Sequence, residues 1–80
     1  MDELLNLLIE LKSRENMEDF IVGILTPHEL EQVIMRLKLV KMIKKGIPHH
    51  EIARRLGVGV ATVTRGSRML KKGHFDYVNE

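Results

Sequence analysis

An all-α fold that contains a helix-turn-helix is the prediction from this sequence, and three observations carry it. Apolar residues recur at the three- and four-residue spacing of helices. Recognisable helix starts and glycine stops bracket these segments, and no stretch alternates apolar and polar residues as a half-buried strand does. Because 80 residues leave room for one small core, we expect a single domain over residues 1–80.

Two short helices are predicted at the N-terminus. Residues 2–12 carry apolar residues at helical spacing with acidic residues between them, and a second helix is expected over residues 17–24. The predicted apolar stripe of the first helix consists of Leu4, Leu5, Leu8, Ile9 and Leu11.

A long third helix is predicted from Pro27 to about Lys45. Thr26 is a good N-cap, Pro27 suits the first helical position, and Glu29 completes a capping box. Gly46 is expected to end this helix. The residues predicted to face the core are Leu30, Val33, Ile34, Leu37, Val40 and Ile43.

Residues 49–56 and about 60–72 are predicted to form a helix pair joined by a tight turn. Gly57 is expected in the left-handed conformation that such a turn needs, and small Ala53 would allow a close approach of the two helices. With basic residues around it, this pair is typical of a DNA-binding helix-turn-helix. Its predicted core residues are Ile52, Ala53, Leu56, Val60, Val63 and Leu70.

Gly66 is an unexpected residue in the interior of the last helix, where glycine costs about 1 kcal/mol relative to alanine. On a helical wheel it lies beside the core stripe, on the same flank as Thr62 and Met69, with Arg65 at the border of that flank. The missing side chain predicts a slot that either neighbouring residues or a flat ligand would fill, since arginine guanidinium groups stack on aromatic rings.

Charge and composition narrow the function classes. Residues 1–31 contain eight acidic residues and two basic ones, whereas residues 32–80 contain eleven basic residues and three acidic ones. A basic C-terminal half is typical of a nucleic-acid partner. The chain has no cysteine, no basic signal sequence and no apolar run long enough to span a membrane, so we expect a cytoplasmic protein without a membrane partner.

Neither catalysis nor metal binding is predicted. No paired carboxylates, nucleophile with a base, or phosphate loop can be recognised, so we do not expect an enzyme. His49 and His50 are adjacent and lack the i, i+4 spacing of a helical zinc pair, and no cofactor is expected.

The segment Ala61-Thr62-Val63-Thr64-Arg65-Gly66-Ser67, together with Leu25-Thr26-Pro27, Arg36 and Gly46, closely resembles the tryptophan repressor family. The resemblance covers about residues 20–72. It implies an intertwined homodimer that represses transcription at operator DNA when L-tryptophan is bound. In that arrangement residues 1–45 would dimerise, residues 46–73 would read DNA, and residues 74–80 would form a short tail. Phe75 and Tyr77, two of only three aromatic residues, are expected to close the dimer core rather than to recognise a partner.

The same resemblance implies a ligand site for L-tryptophan or a related indole. Arg36 and Arg65 would sandwich the ring, Arg65 and Thr26 would lie near the carboxylate, and Gly66 would leave room for the ring. The full implied set is Leu25, Thr26, Arg36, Val40, Thr62, Arg65, Gly66 and Met69.

It also implies which residues meet DNA, at base edges, bridging waters or phosphates. These are His50, Val60, Ala61, Thr62, Thr64 and Lys71. The basic residues Arg54 and Arg68 of the helix pair are expected to join them at the DNA. Two of the implied positions depart from the family pattern. Met69 stands where the family has a serine hydroxyl for the ligand amino group, and His50 stands where it has an arginine that reads guanine.

Two alternatives stay open from the sequence. One is a helix-turn-helix protein of the same kind with no effector or a different one, as in a related branch of tryptophan-repressor-like proteins. The other, from a different class, is a helical oligomerisation or adaptor domain that binds protein through its acidic N-terminal half.

Overall fold

Five α-helices make up the computed structural model, which describes residues 1–79. They are α1 (Asp2–Leu11), α2 (Arg14–Ile24), α3 (Pro27–Lys44), α4 (His49–Leu56) and α5 (Val60–Lys71). No strand occurs in that range, which confirms the all-α prediction. The chain divides into two compact units, Met1–Glu31 and a second that begins at Gln32. None of the five helices is both long and apolar enough to cross a bilayer.

In the first unit, α1 packs against α2. The second helix begins three residues earlier than predicted because the Ser13 side chain caps it, accepting a hydrogen bond from the Asn16 amide at 3.1 Å. The residues of the predicted apolar stripe all lie on α1, but no residue of α1 or α2 is fully buried within this chain. The amphipathic face of α1 therefore stays largely exposed to solvent.

The predicted capping box at the start of α3 is confirmed. The Thr26 amide donates to Glu29 Oε1 at 2.8 Å, and the Glu29 amide donates to Thr26 Oγ1 at 3.1 Å. The hydrogen bond from the Thr26 amide and, after it, one from the Thr26 hydroxyl lower the pKa of the Glu29 carboxyl from its usual 4.5. At the other end, Gly46 follows the helix with φ +81°, as expected of a glycine that terminates a helix.

The predicted inward face of α3 is wrong in part. Val33, Ile34 and Leu37 are each about half exposed, at 47–48%. Val40 is buried as predicted, but its neighbour Leu39 is buried as well. The reason is that α4 and α5 cover the side of α3 that carries Leu39 and Val40.

The core of the second unit forms where α3, α4 and α5 meet. Its buried apolar members are Leu39, Val40, Ile52, Ala53 and Val63. Ile52, Ala53 and Val63 had been predicted there, and half-buried Leu56 lies against them. The prediction that Val60 faces inward is wrong. Val60 is 51% exposed, because it is the first residue of α5 and lies at the end of the helix.

After α5 the chain reverses and returns to the core. Gly73 has φ +89°, its amide donates to the Leu70 carbonyl at 2.9 Å, and the His74 amide donates to the Met69 carbonyl at 3.3 Å. Phe75 then packs against the core of its own chain. Its predicted place in a dimer core stays a prediction. Tyr77 is 80% exposed.

Candidate ligand pocket and nucleic-acid interface

The helix pair α4–α5 has the geometry of a helix-turn-helix. Gly57 adopts the predicted left-handed conformation with φ 66°, and the Val58 amide donates to the Ala53 carbonyl at 3.0 Å. Gly59 then caps α5. Because Ile52, Ala53 and Val63 hold the two helices together from inside, the opposite side of α5 is free to face a partner.

The sequence-predicted DNA residues lie where a partner could reach them, with one exception. Thr62 is half-buried. The remaining seven are exposed: His50, Arg54, Val60, Ala61, Thr64, Arg68 and Lys71. Residues 49–71 carry five basic residues and one acidic residue, a balance suited to a polyanion.

The single acidic residue of this segment is Glu51. Its Oε1 accepts hydrogen bonds from Arg54 at 3.0 Å and from Arg55 at 3.1 Å. The hydrogen bond and charge of Arg55, and to a smaller extent those of Arg54, lower the pKa of the Glu51 carboxyl. One carboxylate thus partly neutralises two exposed arginines that would otherwise be available to phosphate.

A cavity of about 310 Å³ lies between α3, α5 and the tail, all within the second unit. This volume is near the lower end of the range of ligand pockets. Its lining residues are Arg36, Leu39, Val40, Thr62, Arg65, Gly66, Met69 and Phe75. Six of these were implied by the family resemblance, so residues separated by 33 positions in the chain do come together as expected.

Leu39 and Phe75 are lining residues that the sequence did not reveal. Leu39 is one residue from Val40, so its inward position depends on the exact rotation of α3 about its axis. Phe75 reaches the cavity only because the chain reverses at Gly73. The Lys72-Gly73 step after a helix could have signalled that reversal.

Gly66 is explained by close helix packing as well as by the cavity. A Cβ on Gly66 would lie 2.5 Å from Leu39 Cδ2 and 3.4 Å from Ile43 Cδ1. The space left by the missing side chain is therefore filled directly by Leu39, and the cavity opens beside it. Of the two predicted ways to fill the slot, filling by a neighbouring residue is confirmed, and filling by a flat ligand stays a prediction.

The charges in the cavity are both positive. Arg36 and Arg65 line it, and within residues 1–79 neither has a carboxylate at ion-pairing distance. Arginine presents a planar fork of donors that matches a carboxylate and a face that stacks on aromatic rings. The lining therefore combines two unpaired cations with an apolar surface, which suits a flat organic anion.

Leu25 and Thr26 belong to the first unit and are not among the lining residues of this cavity. Thr26 is engaged with Glu29 in the capping box, and the Leu25 amide donates to the Ile21 carbonyl at 3.1 Å. Their predicted contacts with a ligand stay predictions.

Among curated proteins, the chain is similar to Trp operon repressor homologs. It is 39% identical over 62 residues to the one from Actinobacillus succinogenes, covering 76% of this chain and 61% of that protein. The homolog from Mannheimia succiniciproducens is 42% identical over 55 residues, covering 68% of this chain and 54% of that protein. The Bacillus subtilis protein YerC is 30% identical over 77 residues, covering 96% of this chain and 74% of that protein.

The chain thus spans only about half to three quarters of the length of these relatives. No solved structure gives a significant match. The model of the family described as Trp repressor protein matches residues 1–79. Since that match covers nearly the whole chain, the protein belongs to the Trp repressor family.

Proposed function

We propose that this chain is a DNA-binding transcriptional regulator, a repressor whose affinity for operator DNA is controlled by L-tryptophan or a related indole. Family membership supports the DNA-binding part. The observation that supports control of DNA affinity by a ligand is that α5 contributes both to the cavity and to the exposed surface. Its Thr62, Arg65, Gly66 and Met69 line the cavity, while its Val60, Ala61 and Thr64 are exposed.

A ligand in the cavity would act on DNA binding through the position of α5. With the indole ring between Arg36 and Arg65, the ligand would hold α5 at a fixed distance from α3. A bound state that favours the DNA-competent orientation by about 1–3 kcal/mol would produce a useful switch. No direct contact between ligand and DNA is needed for this coupling.

The proposed working form is a homodimer. Supporting it, each unit leaves apolar side chains exposed, with Val33, Ile34 and Leu37 on α3 about half exposed and Ile9 of α1 74% exposed. Exposed apolar side chains that lie together on one face of a helix often mark a protein–protein interface. In a two-fold dimer, the two copies of α5 would read major grooves one DNA turn apart, roughly 34 Å. Sedimentation equilibrium and a melting temperature that rises with protein concentration test this.

The decisive experiment measures duplex affinity and L-tryptophan binding on the same samples. Fluorescence anisotropy with a labelled duplex, in a salt series with and without about 1 mM L-tryptophan, a concentration that saturates a site of micromolar Kd, gives the DNA affinity and its gain. Calorimetry gives the ligand affinity. We expect ligand binding, a gain in DNA affinity, and a salt dependence that corresponds to several phosphate contacts.

Arg36→Ala with Lys38→Ala as its control assigns the ligand site. Both variants lose one exposed cation from α3, but only Arg36 lines the cavity. Arg36→Ala should weaken ligand binding and abolish the gain while ligand-free DNA affinity stays unchanged. DNA binding without any L-tryptophan effect would contradict the control by L-tryptophan and favour an effector-free regulator. Absence of salt-dependent DNA binding would favour the adaptor function instead.

A further inference from the structure

The C-terminal tail supplies an unexpected wall of the cavity. Gly73 reverses the chain after α5, so that Phe75 returns to the same cavity that Met69 lines from the last turn of that helix. Phe75 and Val78 are both half-buried against the core. The Val78 amide donates to the Phe75 carbonyl at 3.0 Å, which closes a turn over residues 75–78.

Lys44 holds this turn in place from α3. Its Nζ donates hydrogen bonds to the carbonyls of Phe75 and Val78, the latter at 2.6 Å, across more than 30 positions of sequence. Lys44 is half-buried at the last position of α3, whereas the next residue, Lys45, is exposed. An ammonium group that donates to two carbonyls makes charge-assisted hydrogen bonds, which are stronger than neutral ones. Lys44 thus ties the backbone of the Phe75–Val78 turn to the end of α3.

We infer that Phe75 is a ligand-contacting residue that sets the size and aromatic preference of the cavity, and that Lys44 is its positioning residue. This inference rests on the proposed function, in which the cavity takes an aromatic effector. The lining has two chemistries: the cations Arg36 and Arg65, and an apolar surface that includes Met69 and Phe75. An aromatic amino acid meets both: its ring would stack between Arg36 and Arg65, and its carboxylate would meet Arg65. The edge of its ring would contact Phe75 and Met69.

Phe75 would act through shape and through ring contacts. An aromatic side chain prefers an edge-to-face or offset arrangement with a second ring, and such pairs contribute beyond the area that they bury. The ring also takes up space that a larger ligand would need. Removing it should weaken binding of an indole roughly tenfold and improve the relative binding of a larger aromatic amino acid.

The test compares two probes, L-tryptophan and L-3-(1-naphthyl)alanine, by calorimetry on the full chain. Phe75→Ala has Tyr77→Ala as its control, because Tyr77 lies in the same tail but is exposed. Lys44→Met has Lys45→Met as its control, because each loses one charge at the end of α3 while, among residues 1–79, Lys44 alone of the two bonds the tail. Phe75→Leu replaces Phe75→Ala if circular dichroism shows that the alanine variant does not fold.

We expect Phe75→Ala and Lys44→Met to lower the preference for L-tryptophan over the naphthyl probe, while both controls keep the wild-type ratio. A ratio of two affinities is the informative readout, since a loss of folded protein alone would weaken both probes alike. The double variant Lys44→Met/Phe75→Ala should be no worse than Phe75→Ala, because Lys44 acts through Phe75. The Val78 amide should also exchange with solvent faster in Lys44→Met.

Two results would overturn the inference and leave the proposed function intact. One is a wild-type ratio in Phe75→Ala when the wild type binds L-tryptophan. The other is full additivity in the double variant, which would mean that Lys44 does not act through the ring. If the wild-type chain binds neither probe, the proposed control of DNA binding by an aromatic effector is wrong, and the inference about Phe75 fails with it.

Discussion

Leu39 and Gly66 are in such close contact that the structure has no room for a side chain on Gly66: a Cβ there would lie 2.5 Å from Leu39 Cδ2. Leu39 is 2% exposed, so its terminal methyl group could give way only toward the cavity that it lines. The pair therefore sets how closely α5 approaches α3. Because both residues line the cavity, it also sets the depth of the proposed ligand site.

Gly66→Ala is expected to destabilise the protein although alanine is the better helix former. The helical preference would add about 1 kcal/mol of stability, but inserting a methyl group into a packed core costs about 1–3 kcal/mol. Because the added Cβ would lie only 2.5 Å from Leu39 Cδ2, we expect the cost of insertion to exceed the gain in helical preference. Urea denaturation measures the change, with Gly23→Ala as a control, since a Cβ at Gly23 meets no atom within 4 Å.

A double-mutant cycle with Leu39→Ala identifies the clash as the cause. Leu39→Ala alone should cost about 2–5 kcal/mol because it leaves a cavity. In the double variant the alanine at position 66 no longer meets Leu39 Cδ2, so the two effects should differ from additivity by about 0.5–3 kcal/mol. Additive costs would show that the strain of Gly66→Ala arises elsewhere.

The features that the sequence predicted well depend on local chemistry. The capping box at Thr26, the left-handed Gly57 and the helix pair around Ile52 and Val63 follow from residues close together in the chain. The position of Gly66 was visible as an anomaly for the same reason.

The features that it missed depend on contacts between distant segments. Leu37, and not Leu39, had been expected to face inward, because a helical wheel is sensitive to a rotation of one residue. Phe75 was missed because its place depends on a chain reversal and on a lysine 31 positions earlier. Neither relationship leaves a periodic pattern in the sequence.

Thr26→Ala is expected to weaken the start of α3. Loss of the hydroxyl that accepts from the Glu29 amide should cost about 1 kcal/mol in the free energy of unfolding. The pKa of the Glu29 carboxyl should rise toward 4.5, but only in part, because the backbone amide of residue 26, the larger cause of its lowering, still donates to it. An NMR titration of the Glu29 side chain measures this directly.

The pH dependence of stability follows from the same shift. A carboxyl with a lowered pKa in the folded chain stabilises it above the unfolded pKa, and this contribution is lost as the pH falls through the folded value. The acid limb of the stability profile, below about pH 5, should therefore become shallower in Thr26→Ala. Thr64→Ala, which alters an exposed threonine of α5, should leave the Glu29 titration unchanged.

Glu51→Gln is expected to raise the affinity for duplex DNA. The carboxylate of Glu51 is bonded to both Arg54 and Arg55, so its removal frees two cations on α4. We expect several-fold tighter binding at low salt and a steeper dependence on salt, since more phosphate charge can be neutralised. Glu10→Gln makes the same charge change on α1 and serves as the control. Equal affinities for the two variants would contradict a role of α4 beside the phosphates.

Val60 and Val63 offer a matched test of which side of α5 is core and which side is available to DNA. They belong to the same helix, but Val63 is 0% exposed and Val60 is 51% exposed. Val63→Ala should lower the free energy of unfolding by about 2 kcal/mol through lost burial and a small cavity. Val60→Ala should leave it within about 0.5 kcal/mol.

The two variants should rank the other way in operator affinity: when both are folded, Val60→Ala should lose more affinity than Val63→Ala. Val60→Ala should lose affinity for the specific duplex while it keeps its affinity for unrelated DNA, because an apolar contact with a thymine methyl group reads sequence and a phosphate contact does not. A competition assay with specific and unrelated duplexes, run well below the melting temperature of each variant, separates the two effects. If Val60→Ala discriminates between specific and unrelated duplexes as well as the wild type does, the first turn of α5 does not read base edges. The exposed side of the helix would then contact only the DNA phosphates.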